Sequence, residues 1–211
     1  IITRRAKAFK AICEELPITI RPYELIVGSN AKSPRSCQLF PEYSFDWVEA
    51  EFDTMETRSA DPFFISEETK KALHEAYKYW GGKTTSELAS SYMEEETLLA
   101  MKHNIFTPGN YFYNGIGHFT VKYWEVLEIG YEGIIAKAQA ELDKLDIGDA
   151  DYGKRSAFLR ASIMSCQAAI DYAKRYALLA LEEAQKESDP TRKLELLKIA
   201  ENCAKVPAKP A

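Results

Sequence analysis

The longest helical pattern in the chain runs from Asp151 to about Lys186 and constrains the fold more than any other feature. Apolar residues recur along it at helical spacing, and many are small, so another helix can approach it closely. This stripe consists of Phe158, Ala161, Ile163, Ala169, Ile170, Ala173, Tyr176 and Ala177. The pattern therefore predicts one long helix packed against neighbouring helices.

A second helix is predicted directly after it. Asp189 and Pro190 form an N-cap followed by proline at the first helical position, and the pattern continues to about Cys203. Because the connection around Ser188 is short, the two helices should pack side by side and antiparallel.

Shorter patterns fill much of the remaining chain and predict a mainly α fold with a few short strands. Helices are predicted at 4–16, 47–52, 66–80 with Ser66 as N-cap, from Thr84 or Thr85, at 94–103 and at 123–144. Residues 24–28 form a short apolar run closed by glycine, which is typical of a buried strand.

Composition excludes several classes of protein. The chain has 211 residues, of which 46% are hydrophobic and 12% aromatic, which indicates a folded domain. Its net charge is −5 and its basic residues are mixed with acidic ones, so no nucleic-acid partner is expected. No apolar run approaches the ~20 residues that cross a bilayer, so we expect no membrane partner and a cytoplasmic location.

The four cysteines do not predict a metal site. Cys13, Cys37, Cys166 and Cys203 form no CxxC pair, and no histidine stands at ligand-like spacing from them. We interpret them as reduced thiols that fill small gaps, and none as catalytic.

The stretch from Phe106 to His118 combines three glycines, two asparagines and four aromatic residues with one histidine. Such a mixture offers hydrogen-bond donors and acceptors next to close backbone approach, which is typical of a small-molecule pocket. The candidate substrate-binding residues are Asn110, Tyr111, Tyr113 and His118. A purely structural loop with a histidine bound to backbone is the alternative.

Two other loops contain paired charges. Arg35 and Glu42 are close enough in sequence to pair, and Glu42 or Asp46 is a candidate acid, base or helix cap. Arg58 stands near Asp61 beside a proline turn, where it could clamp a carboxylate or form a loop salt bridge. Structural roles are the more common outcome for such pairs.

Five collinear motifs together resemble the glycyl radical enzymes of the pyruvate formate-lyase superfamily, nearest the glycerol and hydroxyproline dehydratase branch. The motifs are 21–28 (RPYELIVG), 39–44 (LFPEYS), 52–54 with Arg58 and 61–63, Tyr79-Trp80 with 82–84, and 106–118. The resemblance covers nearly the whole chain. It implies that residues 1–211 are the N-terminal part of a ten-stranded α/β barrel domain.

The resemblance also implies a radical mechanism that this chain cannot perform alone. In the family, a radical stored on a backbone glycine by an S-adenosylmethionine-dependent activating enzyme is passed to a cysteine, which attacks the substrate. The Gly-Cys-Val-Glu and Arg-Val-x-Gly-Tyr motifs that carry these two residues do not occur in the 211 residues. We therefore expect a partial domain, inactive alone, that binds no cofactor itself and forms a homodimer when complete.

In the dehydratases, a histidine after the aromatic–glycine loop faces the substrate hydroxyl, which the resemblance assigns to His118 as a catalytic residue. The complete protein is then expected to eliminate water or another leaving group from a small polar substrate. A choline- or propanediol-type lyase and a non-catalytic helical scaffold are the alternatives.

Overall fold

The computed structural model describes residues 1–29, 36, 39–106 and 121–211, and these are mainly helical. The helices are α1 (Ile2–Glu15), α2 (Asp46–Ala50), α3 (Glu67–Trp80), α4 (Thr85–Ser91), α5 (Glu95–Lys102), α6 (Tyr123–Asp143), α7 (Tyr152–Lys186) and α8 (Pro190–Lys205). No strand occurs in the described ranges, so the mainly α prediction is confirmed there and the short strands are not. Among the described helices, none has the length and apolarity needed to span a bilayer.

The described residues fall into two compact units. The first unit contains 1–29 and 121–211, and the second contains 36 and 39–106. Helices α1, α6, α7 and α8 belong to the first unit, and the short helices α2 to α5 belong to the second.

Helix α7 is the axis of the first unit, since α1, α6 and α8 all pack against it. Helix α1 runs in the same direction as α7. Ile2, near its start, lines a groove with Phe158, and the Arg175 guanidinium donates to the carbonyls of Cys13 and Leu16 at its end. These bonds satisfy carbonyls that a helix end leaves without a partner.

Helices α7 and α8 form the predicted antiparallel pair. Their shared core contains Tyr176, Ala180 and Ala184 from α7, with Leu196, Ile199 and Ala200 from α8. Two of the three α7 residues in this core are alanines, which let the backbones approach closely. Of the three, only Tyr176 belongs to the predicted stripe, since the buried contact extends beyond Ala177, where the stripe ended. Phe158, the first member of that stripe, is instead exposed along the groove beside α1.

The strand predicted at 24–28 is wrong. Tyr23 has a φ of 62°, so the chain turns just before the apolar run. Leu25 and Ile26 are 60% and 89% exposed, whereas Val27 packs against the core of α7 and α8. An apolar run alone does not distinguish a strand from an extended segment that buries one side chain.

Helix α6 is bent sharply at Gly130, whose φ of 65° and ψ of 175° are not helical. The backbone of Ala208 approaches so closely that a Cβ on Gly130 would lie 2.3 Å from its carbonyl oxygen. Glycine is required here for both reasons, the left-handed φ and the missing side chain. The helical period in the sequence predicted α6 but not its bend.

The second unit has an aromatic core. Phe45 is 1% exposed and stacks on Tyr77 with the ring centroids 4.2 Å apart. Phe45, Val48, Met55 and Leu73 form its centre, flanked by Leu39, Phe52, Phe63, Ile65 and Tyr77. Helix α3 begins as predicted, since the Ser66 hydroxyl accepts the Thr69 amide.

Candidate functional site

All four predicted substrate-binding residues lie outside the described part of the chain. Asn110, Tyr111, Tyr113 and His118 fall between the described ranges that end at Phe106 and resume at Val121. Phe106 and Val121 are themselves exposed. The pocket assignment therefore stays a prediction.

Residues 21–28, the first of the five motifs, form a joint with helix α8, since hydrogen bonds connect this segment to the helix. The backbone amide and guanidinium of Arg21 donate to the Glu24 carboxylate at 2.8 and 2.9 Å. Arg192 of α8 donates to the Glu24 carbonyl at 2.9 Å and to the Glu195 carboxylate at 2.8 Å. The guanidinium groups of Arg21 and Arg192 thus both form hydrogen bonds to other groups of this unit.

The electrostatics of this joint favour an ionised Glu24. Burial opposes ionisation, but the hydrogen bonds from Arg21 and the charges of Arg21 and Arg192 outweigh it, so the pKa of Glu24 lies below its ordinary value. Burial is also the largest influence on Glu183 nearby, whose pKa is raised. An open, mixed-charge groove of about 480 Å³ runs past these residues. Arg192 was not identified from the sequence, because an arginine in an ordinary helix gives no local signal.

Two further motifs, 39–44 and 82–84, meet at the start of α4. The amides of Thr85 and Ser86 donate to the carbonyls of Glu42 and Tyr43 at 3.0 and 2.9 Å. These are first-turn amides, which need partners from outside their own helix. Glu42 therefore contributes its backbone carbonyl, which caps the N-terminus of α4.

Glu87 is the centre of this second joint. Its carboxylate accepts the Thr84 hydroxyl at 2.6 Å, the Gly82 amide at 3.0 Å and the Tyr77 hydroxyl at 3.1 Å. Thr84 and Glu87 also form a reciprocal capping box. Led by the Thr84 hydrogen bond, these donors outweigh burial and lower the pKa of Glu87.

Arg58 is engaged in a loop salt bridge, one of its two predicted roles. Its guanidinium contacts the Glu51 carboxylate at 2.5 Å, donates to the Asp61 carbonyl at 2.8 Å and lies over the Phe63 ring. The partner Arg35 proposed for Glu42 and the side chain of Asp46 lie outside what the structure describes.

The described cysteines have protonated thiols at neutral pH. Burial raises the pKa of Cys13, Cys166 and Cys203, which keeps each thiol protonated. Cys37 lies outside the described residues. Within 1–29, 36, 39–106 and 121–211, no group of three His, Cys, Asp or Glu side chains is arranged to hold a metal ion.

Two solved structures and one sequence relative are similar to this chain. A structure described for 1,2-propanediol dehydration in Roseburia inulinivorans has 58% sequence identity and a TM-score of 0.88, over 100% of this chain and 25% of that one. The B12-independent glycerol dehydratase of Clostridium butyricum has 51% identity and a TM-score of 0.87, over 100% of this chain and 27% of that one. The (2S)-3-sulfopropanediol dehydratase of Klebsiella oxytoca is 36% identical over 95% of this chain and 25% of its own length.

The chain thus spans about a quarter of the length of these relatives. The family model described as pyruvate formate lyase-like matches residues 1–211, the whole of the chain. The joints described above are built from the same motifs that carried the resemblance. This chain belongs to the pyruvate formate lyase-like family of glycyl radical enzymes.

Proposed function

We propose that residues 1–211 are the N-terminal part of a glycyl radical dehydratase that removes water from a small molecule with adjacent hydroxyl groups. The observation that carries this proposal is the 58% and 51% identity, over the whole chain, to proteins described for 1,2-propanediol dehydration and as a glycerol dehydratase. Relatives whose names specify other reactions have lower identity, such as an isethionate sulfite-lyase at 31%.

The reaction is redox-neutral overall. The diol loses one hydroxyl group and one proton as water, and the carbon skeleton leaves as an aldehyde. The radical, held on a glycine of the complete protein and installed by an S-adenosylmethionine-dependent activating enzyme, supplies the removal and return of one substrate hydrogen atom. No residue of this chain is assigned to that step, because neither radical motif occurs in it.

The contribution that we assign to this chain is on the substrate side. His118 hydrogen-bonds the leaving hydroxyl and donates the proton with which it departs as water. An imidazole suits this role because its ordinary pKa lies near neutrality. Asn110, Tyr111 and Tyr113 hold the remaining polar groups of the substrate.

The proposal includes the architecture of the complete enzyme. Residues 1–211 contribute a mainly helical part of a ten-stranded α/β barrel domain, which excludes water and oxygen from the radical. We place the complete enzyme in the cytoplasm as a homodimer. The relatives' length, about four times that of this chain, supports the partial-domain assignment.

The test is the complete, anaerobically activated enzyme with 1,2-propanediol and glycerol as substrates. His118→Ala should lower turnover per radical by roughly 10²–10⁴-fold because the leaving hydroxyl loses its proton donor. The glycine radical, counted by electron paramagnetic resonance, and the melting temperature should stay close to those of the wild type.

His103→Ala is the matched control, since His103 is an exposed histidine at the C-terminus of α5. It should leave turnover unchanged. Normal turnover of His118→Ala together with a large fall in melting temperature would support the structural alternative for the loop. If the wild type acted on choline or isethionate but on no diol, the proposed substrate class would be wrong.

A further inference from the structure

The bend in α6 breaks hydrogen bonds of the helix, and residues 206–211, which we call the latch segment, supply replacement partners. In an unbroken helix, the Tyr131 amide would donate to the Leu127 carbonyl. Here the Tyr131 amide donates to Pro207 at 2.8 Å, and the Leu127 carbonyl accepts the Ala211 amide at 3.2 Å. One donor and one acceptor of the helix therefore both find partners in the latch segment.

The amide of Glu132 also exchanges a partner within α6 for one in the latch segment. Glu132 would donate to the Glu128 carbonyl in an unbroken helix, and it donates instead to Ala208 at 2.9 Å. Bent and straight forms of α6 can thus satisfy the two amides equally well. Ala208 of the latch segment is buried and lies directly against the bend at Gly130.

An ion-pair cluster reinforces the bent form. Glu125, before the bend, contacts Lys122 at 2.6 Å and Lys137, after the bend, at 2.8 Å. In a straight helix, 12 residues at 1.5 Å each would separate Glu125 and Lys137 by about 18 Å along the axis. Their contact therefore exists only when α6 is bent.

We propose that the latch segment and α6 form a conformational switch. The docked latch segment holds α6 bent at Gly130, and its release lets α6 become a straight helix. The direction of residues 123–129 of α6 is thereby coupled to the position of the chain after α8. The coupling works because each state supplies its own partners for the same backbone groups.

Gly130→Ala should drive the switch to the straight form. Alanine favours a regular helix over glycine, and its Cβ would lie 2.3 Å from the Ala208 carbonyl oxygen in the bent form. The measurement is residue-resolved amide hydrogen exchange by NMR on the 211-residue chain. The Ala211 amide should exchange at least roughly tenfold faster, while the Tyr131 and Glu132 amides stay protected by helix bonds.

Gly153→Ala is the matched control, since Gly153 lies in regular helix and a Cβ there meets nothing within 4 Å. It should leave the exchange of all three amides unchanged. Faster exchange of Tyr131 and Glu132 in Gly130→Ala would overturn the proposal, because the bend would then be a packing feature with no alternative helical state. An exchange pattern equal to that of the control would overturn it as well.

Lys137→Glu tests the switch without a steric clash, in case Gly130→Ala does not fold. The new carboxylate repels Glu125 across the bend, so Ala211 exchange should rise while Tyr131 and Glu132 stay protected. Lys144→Glu is its control, since Lys144 pairs with Glu141 on the same side of the bend. Equal Ala211 exchange in the two charge variants would contradict the proposal.

Discussion

The two units of the molecule achieve order by different means. In the first, three alanines in the core between α7 and α8 let the two helices pack closely. In the second, short helices surround an aromatic core and are joined by capping hydrogen bonds that converge on Glu87. The difference indicates that the first unit should suffer most from added volume, and the second from lost volume or lost charge.

Removing the central ring of the second unit should have the largest effect. Phe45→Ala deletes the ring that stacks on Tyr77, and we expect the free energy of unfolding to fall by about 4 kcal/mol. Urea unfolding followed by the fluorescence of Trp47 and Trp80, in a Trp124→Phe background, would report on this unit.

The control for Phe45→Ala is Phe64→Ala, since Phe64 is 74% exposed. It should cost less than about 0.5 kcal/mol. An equal loss at both positions would mean that the aromatic cluster is not the core of the second unit.

Adding volume to the first unit should have the next largest effect. Ala180 is 0% exposed at the α7–α8 contact, so Ala180→Leu should force the helices apart and cost about 2 kcal/mol. The exposed Ala140 of α6 is the control, and Ala140→Leu should be nearly neutral. Unfolding followed by Trp124 fluorescence, in a Trp47→Phe, Trp80→Phe background, measures both, and a tolerated leucine at 180 would contradict the contrast between the two units.

The smallest expected effect concerns charge in the second unit. Glu87→Gln should lower the free energy of unfolding by about 1 kcal/mol at pH 7, because the amide has one accepting oxygen where the carboxylate uses two, and it carries no charge. The pKa of Glu87 is lowered by folding from its ordinary value of 4.5. The ionised form is therefore the stabilising one, and its contribution is present above pH 4.5 and declines as the pH falls below that value.

Urea unfolding of wild type and variant at several pH values would test this sign. The difference between the two should shrink below pH 4.5, and a difference that grew there would contradict the assigned protonation state. Glu75→Gln is the control, since Glu75 pairs with Lys78 on the exposed surface of α3. Such a pair should contribute less than about 0.5 kcal/mol.

Features that repeat along the chain were predictable, and features decided by distant partners were not. The pattern over 151–186 predicted α7 because many residues report the same period, and Asp189-Pro190 placed the start of α8 correctly. The bend at Gly130 escaped prediction because its cause, the backbone at 207–208, lies almost 80 positions away. Thr84 was predicted as a helix start, but its capping box was not, although a glutamate three positions later, here Glu87, is the sequence signal for one.

For the site, the sequence supplies the residues and not their geometry. The motif from 106 to 118 contributed to the family assignment, which the family match confirms. The role of His118 stays a prediction, because a histidine in a polar loop is equally compatible with a backbone hydrogen bond. Deciding between the two requires the substrate and the other walls of the pocket.

The length of α7 has a consequence for how this protein can change over evolutionary time. Its 35 residues form a rod of about 52 Å, with α1 beside its first part and α8 beside its last. Inserting or deleting one codon near its middle would turn everything beyond that point by about 100° about the axis. The partner surfaces beyond that point would then face the wrong side of the rod, so we expect insertions and deletions to be tolerated in the loops of this protein and selected against in α7.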